Sequence, residues 1–221
     1  MGTQERKERE KEQRRQDILD AAEKVFFSRG VHLATMDEVA EAAELSKGTL
    51  YLYFNSKEDL YYAVCLRGME IMHRMMAQAA NKMDTGGEKI LALGRAYFEF
   101  SQQFGDYFKL MMLCSNQDIQ AKDQSDIGWQ CHERGGKVIQ MVAETLQLGI
   151  EDGSIQTDIH PRSLAYLCWS QLTGIIQMLQ SEKLHMEKGS GPTPEQLIED
   201  HFQLMRTALA PKEPPSPPQV K

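Results

Sequence analysis

No run of apolar residues in this 221-residue chain is long enough to cross a bilayer, and its charged beginning is followed by no apolar core. Neither a membrane span nor a signal peptide is expected, so the sequence suits a soluble protein of the cytoplasm with no membrane partner. Cysteine is scarce. Cys65, Cys114, Cys131 and Cys168 stand far apart without a C-x-x-C pair, which argues against a zinc ribbon and suits buried thiols in a reducing compartment. There is no G-x-G-x-x-G, no G-x-x-x-x-G-K-[ST] and no G-x-S-x-G, so nothing suggests a phosphate cradle or a nucleophile elbow, and no catalytic residue is expected. His32, His73, His132, His160, His185 and His201 form no H-x-x-x-H or H-E-x-x-H pair, and the adjacent Cys131 and His132 do not easily chelate one ion from a helix. Metal and cofactor are both expected to be absent.

Positive charge is lacking too. The formal net charge is -7 and the pI about 5.4, the opposite of the basic footprint that phosphate binding favours. Residues 1–60 carry ten Lys or Arg against thirteen Asp or Glu. Distribution matters more than the sum: Arg6, Lys7, Arg9, Lys11, Arg14 and Arg15 crowd the start, and no acid stands between Leu45 and Ser56. A negative body behind a neutral-to-positive segment lowers non-specific binding to nucleic acid and leaves specific contacts to choose a site.

What is present is helical periodicity. With 41% hydrophobic residues the chain has enough apolar surface for one large core or two modest ones. Apolar positions recur at helical spacing over about 14–29, 57–82, 88–104, 106–116, 125–149, 161–184 and 194–209, and no alternating strand pattern competes, so the fold class is all-α. Residues 2–16 alternate acids and bases, which fits either a helix extension held by i to i+4 pairs or a disordered arm; a disordered arm over 1–13 is the expectation. The breaks fall at Gly30, Asp84 to Gly87, Gly105, Asp118 to Asp126, Glu151 to Gly153 and Gly189 to Pro192. Five of the eight prolines lie in 211–221, so 210–221 is expected to be a flexible tail.

The most informative stretch is Thr35 to Leu60. Thr35 with Glu38 three residues on makes a capping box, and Met36, Val39, Ala40 and Ala43 follow at helical spacing. After a turn at Glu44-Leu45, Ser46 caps a second short helix whose Leu50 and Phe54 point inward, leaving Lys47, Gly48, Thr49, Tyr51 and Tyr53 to a partner. Ser56 then caps a third helix with Glu58 and Asp59 in its first turn. Two short helices of this kind fit a helix-turn-helix that presents its second helix to the DNA major groove, and Gly48 suits a close approach of backbone to DNA. By residue type alone, an ordinary surface helix fits equally well.

The run Lys47-Gly48-Thr49-Leu50-Tyr51-x-Tyr53-Phe54-x-x-Lys57-Glu58-x-Leu60, preceded by Ala21-Ala22, Phe26, Gly30 and Thr35, resembles the DNA-binding domain of TetR-family transcriptional repressors over about the first third of the chain. The resemblance implies a helix-turn-helix domain over 14–60 and a helical ligand-binding and dimerisation domain over 61–209. It implies that Thr35 contacts phosphate, that Lys47, Gly48, Thr49 and Tyr51 face the groove, that Tyr53 and Lys57 grip the DNA backbone, and that Arg14 and Arg15 lie where the family's arm touches phosphate or minor groove; Ser46 joins the DNA-contacting residues by residue type, for its short hydroxyl. The implied partners are a double-stranded DNA operator, a small-molecule effector and a second copy of the chain. An all-helical adaptor that has lost DNA binding is the alternative, because the first domain is not basic.

The rest of the chain carries no such signature. Its methionines and aromatics, Met69, Met72, Met111, Met112, Met141 and Met178 beside Tyr97, Phe100, Phe104, Phe108, Trp129 and Trp169, make either a plain helical core or the wall of a cavity for a flat, apolar ligand. The helices over 161–184 and 194–209 show an apolar excess, through Leu164, Leu167, Leu172, Ile175 and Leu179 on one and Leu197, Ile198, Phe202 and Met205 on the other. That excess suggests a four-helix homodimer contact, with Gly174 allowing close crossing.

Overall fold

A computed structural model describes residues 2–115, 126–181 and 192–211. All but the last residue of each expected break, 118–126 and 189–192, together with His185 and nearly all of the tail 210–221, lie outside these residues. Within them the elements are α1 (Thr3–Arg29), α2 (Met36–Ala42), α3 (Lys47–Tyr51), α4 (Lys57–Ala80), α5 (Gly86–Gln103), α6 (Gly105–Ser115), α7 (Ile127–Glu151), α8 (Pro161–Gln180) and α9 (Pro194–Leu209). No strand occurs among the described residues, and none of their helices is long and apolar enough to cross a membrane. The helices gather into two units. The first holds the chain through Ile71 together with Phe104–Gly135, and the second holds Met72–Gln103 and everything from Gly136 on, so α4 and α7 each begin in the first and end in the second.

In the first unit the stretch expected as a disordered arm is instead the opening half of α1. Side-chain pairs four residues apart, Gln4 with Glu8, Arg6 with Glu10, Glu12 with Gln16 and Gln13 with Asp17, link its exposed turns. Each such pair favours helix by about 0.2–0.5 kcal/mol. The second half of α1 buries Ile18, Leu19, Ala22 and Phe26 and ends at Gly30, whose φ of 78° lies in the left-handed region. Thr35 and Glu38 make the expected capping box: the Glu38 N–H donates to Thr35 Oγ1 at 3.3 Å and the Thr35 N–H to Glu38 Oε2 at 2.9 Å. The turn into α3 is closed by Leu45 N–H to Ala40 O at 2.8 Å and Glu44 N–H to Glu41 O at 3.0 Å, the paired bonds of a Schellman ending. Glu44 stands at the left-handed position of that motif with φ 55°, where glycine carries no Cβ penalty.

α6 also packs within this unit. The reason is the face of α4 that packs against it. Tyr61 Oη donates to Leu110 O at 2.9 Å, and a Cβ at Gly68 would stand 2.7 Å from the Tyr107 ring. Arg67 reaches Asp20 and Glu23 of α1, both at 2.6 Å, and the Tyr107 hydroxyl donates to the same Glu23 carboxylate, so α1, α4 and α6 share one charged network.

The second unit packs α5 against α8 and α9, with the ends of α4 and α7 completing it. Gly86 and Gly87, expected as a break, open α5: Thr85 caps it with Glu88 as its box partner, and Asp152 Oδ2 and Ser154 Oγ accept from the Gly86 and Gly87 N–H groups at 2.7 and 2.8 Å. Glycine is required at 86 because a Cβ there would lie 2.2 Å from the backbone nitrogen of Gly149, where α5 and α7 cross. Arg95 ties α5 to α9 through a bidentate contact with Glu199 at 2.6 and 2.9 Å, and its guanidinium lies 4.5 Å from the centre of the Phe202 ring.

The strain at Glu44 generates a test. Glu44→Gly should raise the stability of the chain by about 1 kcal/mol, since the left-handed conformation costs an L-residue about 1–2 kcal/mol and glycine gives back part of that in unfolded-state entropy. A urea titration should show a higher midpoint at unchanged slope. A lower midpoint would mean that the Glu44 side chain stabilises the turn by more than its backbone strain costs.

Candidate functional site

The site begins with α3, which has five residues and no helical stability of its own. It is held from one side by Leu50, fully buried with Phe54 against the α1 and α2 core, and from its start by Ser46, whose Oγ accepts from the Thr49 N–H at 3.1 Å. The opposite face carries Lys47, Gly48 and Tyr51, all exposed, with Thr49 and Tyr53 half-buried beside them. Gly48 has no steric cause inside the chain: a Cβ there would meet nothing nearer than Ser46 Oγ at 3.9 Å. Lys47 Nζ rests against the Asp37 carboxylate at 2.9 Å, which raises its pKa through that hydrogen bond and keeps it fully protonated.

The other residues expected to contact DNA differ in how they are engaged. The Thr35 hydroxyl belongs to its capping box, donating to Glu38 Oε2 at 3.0 Å. Arg14 is exposed on α1, and the Arg15 guanidinium lies over the Phe54 ring at 4.9 Å. Lys57, expected on the DNA backbone, has its ammonium committed inside the unit: it donates to Val31 O at 3.0 Å, Ala34 O at 3.1 Å and His32 O at 3.4 Å. Those bonds use its three protons and fasten the loop between α1 and α2 to the first turn of α4. The sequence pattern carries no signal for this inward role.

The second unit contains a cavity of about 50 Å³ among α4, α5, α7, α8 and α9. Of the twelve residues expected to line a pocket, Tyr97 and Trp169 do so, their rings stacked at 4.4 Å, with Tyr97 Oη bonded to Thr173 Oγ1 at 2.9 Å. Met72 and Phe100 are buried in the second unit without lining the cavity, and Met141 and Met178 lie on α7 and α8 away from it. Met69, Phe104, Phe108, Met111, Met112 and Trp129 belong to the first unit. The remaining wall comes from Met76, one of the methionines of the soft core, and from residues the sequence did not single out as a pocket, including Leu93, Cys168 and His201. Burial lowers the His201 pKa and so favours the neutral ring, and burial pushes the Cys168 thiol up to about 11. A wider cleft of about 380 Å³ adjoins it, sharing Ile90, Leu91, Met205 and Leu209 and bringing in Thr85, Glu88, Ser154 and Arg206.

The residues expected at a dimer contact divide by burial. Leu164, Leu172, Ile198 and Phe202 turn into the unit, and Leu172, Phe202 and Met205 line the cavity. Ile175, Leu179 and Leu197 are half-buried. Leu167 is 51% exposed, Gly174 faces open space, and Tyr166 and Leu204, at 50% and 62%, extend the apolar surface of α8 and α9. Neither Tyr166 nor Leu204 stands out by periodicity.

Two family models match the chain: bacterial regulatory proteins of the tetR family over residues 18–64, and the tetracyclin repressor-like C-terminal domain over 90–208. The chain belongs to the TetR family of regulators. Among individual TetR-type relatives, the HTH-type transcriptional activator FasR of Mycolicibacterium smegmatis is 35% identical over 101 residues, 46% of each chain, so the match spans less than half the length of that relative. The HTH-type transcriptional regulator UidR of Escherichia coli is 23% identical over 173 residues, 77% of this chain and 83% of its own. Among solved structures, AibR in complex with isovaleryl coenzyme A and operator DNA superposes with a TM-score of 0.64 at 18% identity, covering 90% of this chain and 100% of that one. The fatty acid degradation regulator FadR of Bacillus halodurans gives 0.64 at 20% identity, covering 86% and 93%. At such identities the likeness is one of fold: a helix-turn-helix head and a helical body.

Lys57→Ala should lower stability by about 2 kcal/mol, because hydrogen bonds to a charged group contribute about 1.5–3 kcal/mol and three carbonyls lose their donor. The fall should be seen in a urea midpoint measured without DNA. An unchanged midpoint would show that the clamp contributes nothing and that Lys57 is available to a partner.

Proposed function

We propose that the chain is a ligand-responsive transcriptional repressor that binds a palindromic DNA operator as a dimer and is released by a small apolar or aromatic effector. The observation that carries this reading is α3: a helix too short to stand alone, fastened by Leu50 and Ser46, with an exposed acid-free face and a glycine the fold does not need. A glycine there costs helix stability by about 0.5–1 kcal/mol, which is explained if a partner's backbone comes close. Lys47, Thr49 and Tyr51, with Ser46 at the helix start, are the groove-facing groups. Tyr53, Thr35, Arg14 and Arg15 flank them as phosphate contacts, and Lys57 supports them by holding the loop that ends at Ala34.

Two copies must present their α3 helices about 34–36 Å apart to enter successive major grooves on one DNA face. The exposed apolar residues Tyr166, Leu167 and Leu204, with the open flank at Gly174, supply the surface of α8 and α9 for that pairing. The cavity beside Tyr97, Trp169 and His201 is the effector site in this reading. At about 50 Å³ it is smaller than most ligand sites, so an effector enlarges it, displacing flexible walls such as Met76 and Met205 and drawing on the adjoining cleft. The cleft's Arg206, Ser154 and Thr85 favour an effector with an apolar body and one polar end; the isovaleryl coenzyme A bound by AibR has that character. α4 is the connecting element, with Lys57 at its start in the first unit and Met76 in the cavity wall. A ligand that loosens DNA binding must itself bind more weakly to the DNA complex by the same factor.

DNA binding is tested with a fluorescent operator taken from the sequence flanking the protein's own gene, titrated at two salt concentrations. Tyr53→Ala should weaken binding to all sequences alike and leave the salt slope unchanged, since a phenol neutralises no phosphate, while Thr49→Ala should change the preference among sequences by about 1–3 kcal/mol. No binding to DNA at low salt would favour the adaptor reading. Sedimentation should give a dimer at micromolar protein that Leu167→Glu converts to a monomer, and hydrophobic compounds that raise the melting temperature should release the operator. Compounds that stabilise the protein yet leave operator affinity unchanged would overturn effector control.

A further inference from the structure

Three thiols and a thioether from three helices meet in the core of the first unit. Cys114, in the last turn of α6, has its Sγ 3.6 Å from the Sγ of Cys131 near the start of α7, and Cys131 lies 3.9 Å from Met69 Sδ of α4. Cys65, also on α4, sits against the same pair and holds its Sγ 3.8 Å from Leu110 O. Cys65, Cys114 and Cys131 are all buried, while Cys168 lies in the other unit. Among the described residues no group of three or more His, Cys, Asp or Glu converges closely enough to hold a metal ion.

We propose that Cys114 and Cys131 are a reversible disulfide site, oxidised by a peroxide and reset by a dithiol. Two sulfurs in van der Waals contact need to close only to the bonded distance of about 2.05 Å, which side-chain rotation and a small helix adjustment supply. Cys114 is the attacking group: the contact with Cys131 favours its thiolate and draws its pKa down, whereas the contact with Cys114 pushes the Cys131 thiol up. Its sulfur attacks one peroxide oxygen, the O–O bond breaks, and the products are a sulfenic acid on Cys114 and a molecule of water or alcohol. The Cys131 sulfur then attacks the Cys114 sulfur, hydroxide leaves, takes up the proton of Cys131 and departs as water, and the peroxide has accepted the two electrons the thiols lost. Access follows from position, since Cys114 and Cys131 stand at helix ends, which open locally at lower cost than helix centres. The bond would join the end of α6 to the start of α7, and α6 in turn holds α1 and α4 through Tyr107 and Leu110.

This inference does not depend on DNA or effector binding, and neither does its test. The full chain is treated with hydrogen peroxide, denatured, and its free thiols counted by alkylation and mass spectrometry. The count should fall from four to two, with a cross-linked peptide pair containing Cys114 and Cys131, and dithiothreitol should restore four. Cys168→Ala should still lose two thiols. Cys131→Ala should form no disulfide and should leave a Cys114 sulfenic acid that dimedone traps. The count on the unaltered chain stands even if that variant folds poorly. The proposal is overturned if all four thiols survive a dose that fully oxidises free cysteine, if the link runs through Cys65 or Cys168 or between two chains, or if stoichiometric Zn(II) or Cu(I) binds the reduced cluster and protects it.

Discussion

The burial of Leu50 is the contact on which the DNA-facing half of the molecule rests. Helix nucleation is costly, and five residues return too few hydrogen bonds to offset it, so α3 exists only while its one core residue, Leu50, stays buried and the helix stays packed against α2. The Ser46 cap and the Lys57 clamp act on the two ends of the same small assembly. With one residue of α3 fully buried and its neighbours turned outward, the helix offers a partner most of its surface. That division suits a reading element better than a structural one.

The polar groups around α3 are mutually satisfied. Lys47 leans on Asp37, Thr35 on Glu38, Arg15 on Phe54, and Lys57 on three carbonyls. Contacts between exposed charges are weak and screened by salt, so the one at Lys47 breaks at small cost. The Lys57 bonds are of a different kind, because losing them leaves carbonyls of the loop at 31–34 without a donor. Lys47 and Lys57, ten residues apart, are therefore held to very different degrees, one by an exposed carboxylate and the other by three carbonyls of the fold.

The second unit balances rigidity against give. Gly86 and Gly149 bring two helix backbones together where no side chain fits, and Arg95 with Glu199 pins α5 to α9. Between these fixed points lie Met76, Met205 and the stacked pair Tyr97 and Trp169, whose packing leaves space that a close-packed core would not.

Sequence alone determined the helices and the head. Apolar spacing, the Thr35 and Ser46 caps and the run from Lys47 to Leu60 depend on neighbours three and four residues away, and such local relations survive any tertiary arrangement. Charge alternation over 2–16 was compatible with helix, yet only the continuous α1 showed that i to i+4 pairs suffice to extend it to Thr3. What tertiary structure decided was which face of a periodic helix meets which neighbour. Periodicity marks a residue as inward without naming the interior: Phe104, Phe108 and Met111 went to the first unit, Leu172 and Phe202 to the cavity, and Lys57 inward to a loop some twenty-five residues away. The meeting of Cys114 with Cys131 is of the same sort, a contact between two helices whose separation along the chain carries no trace of it.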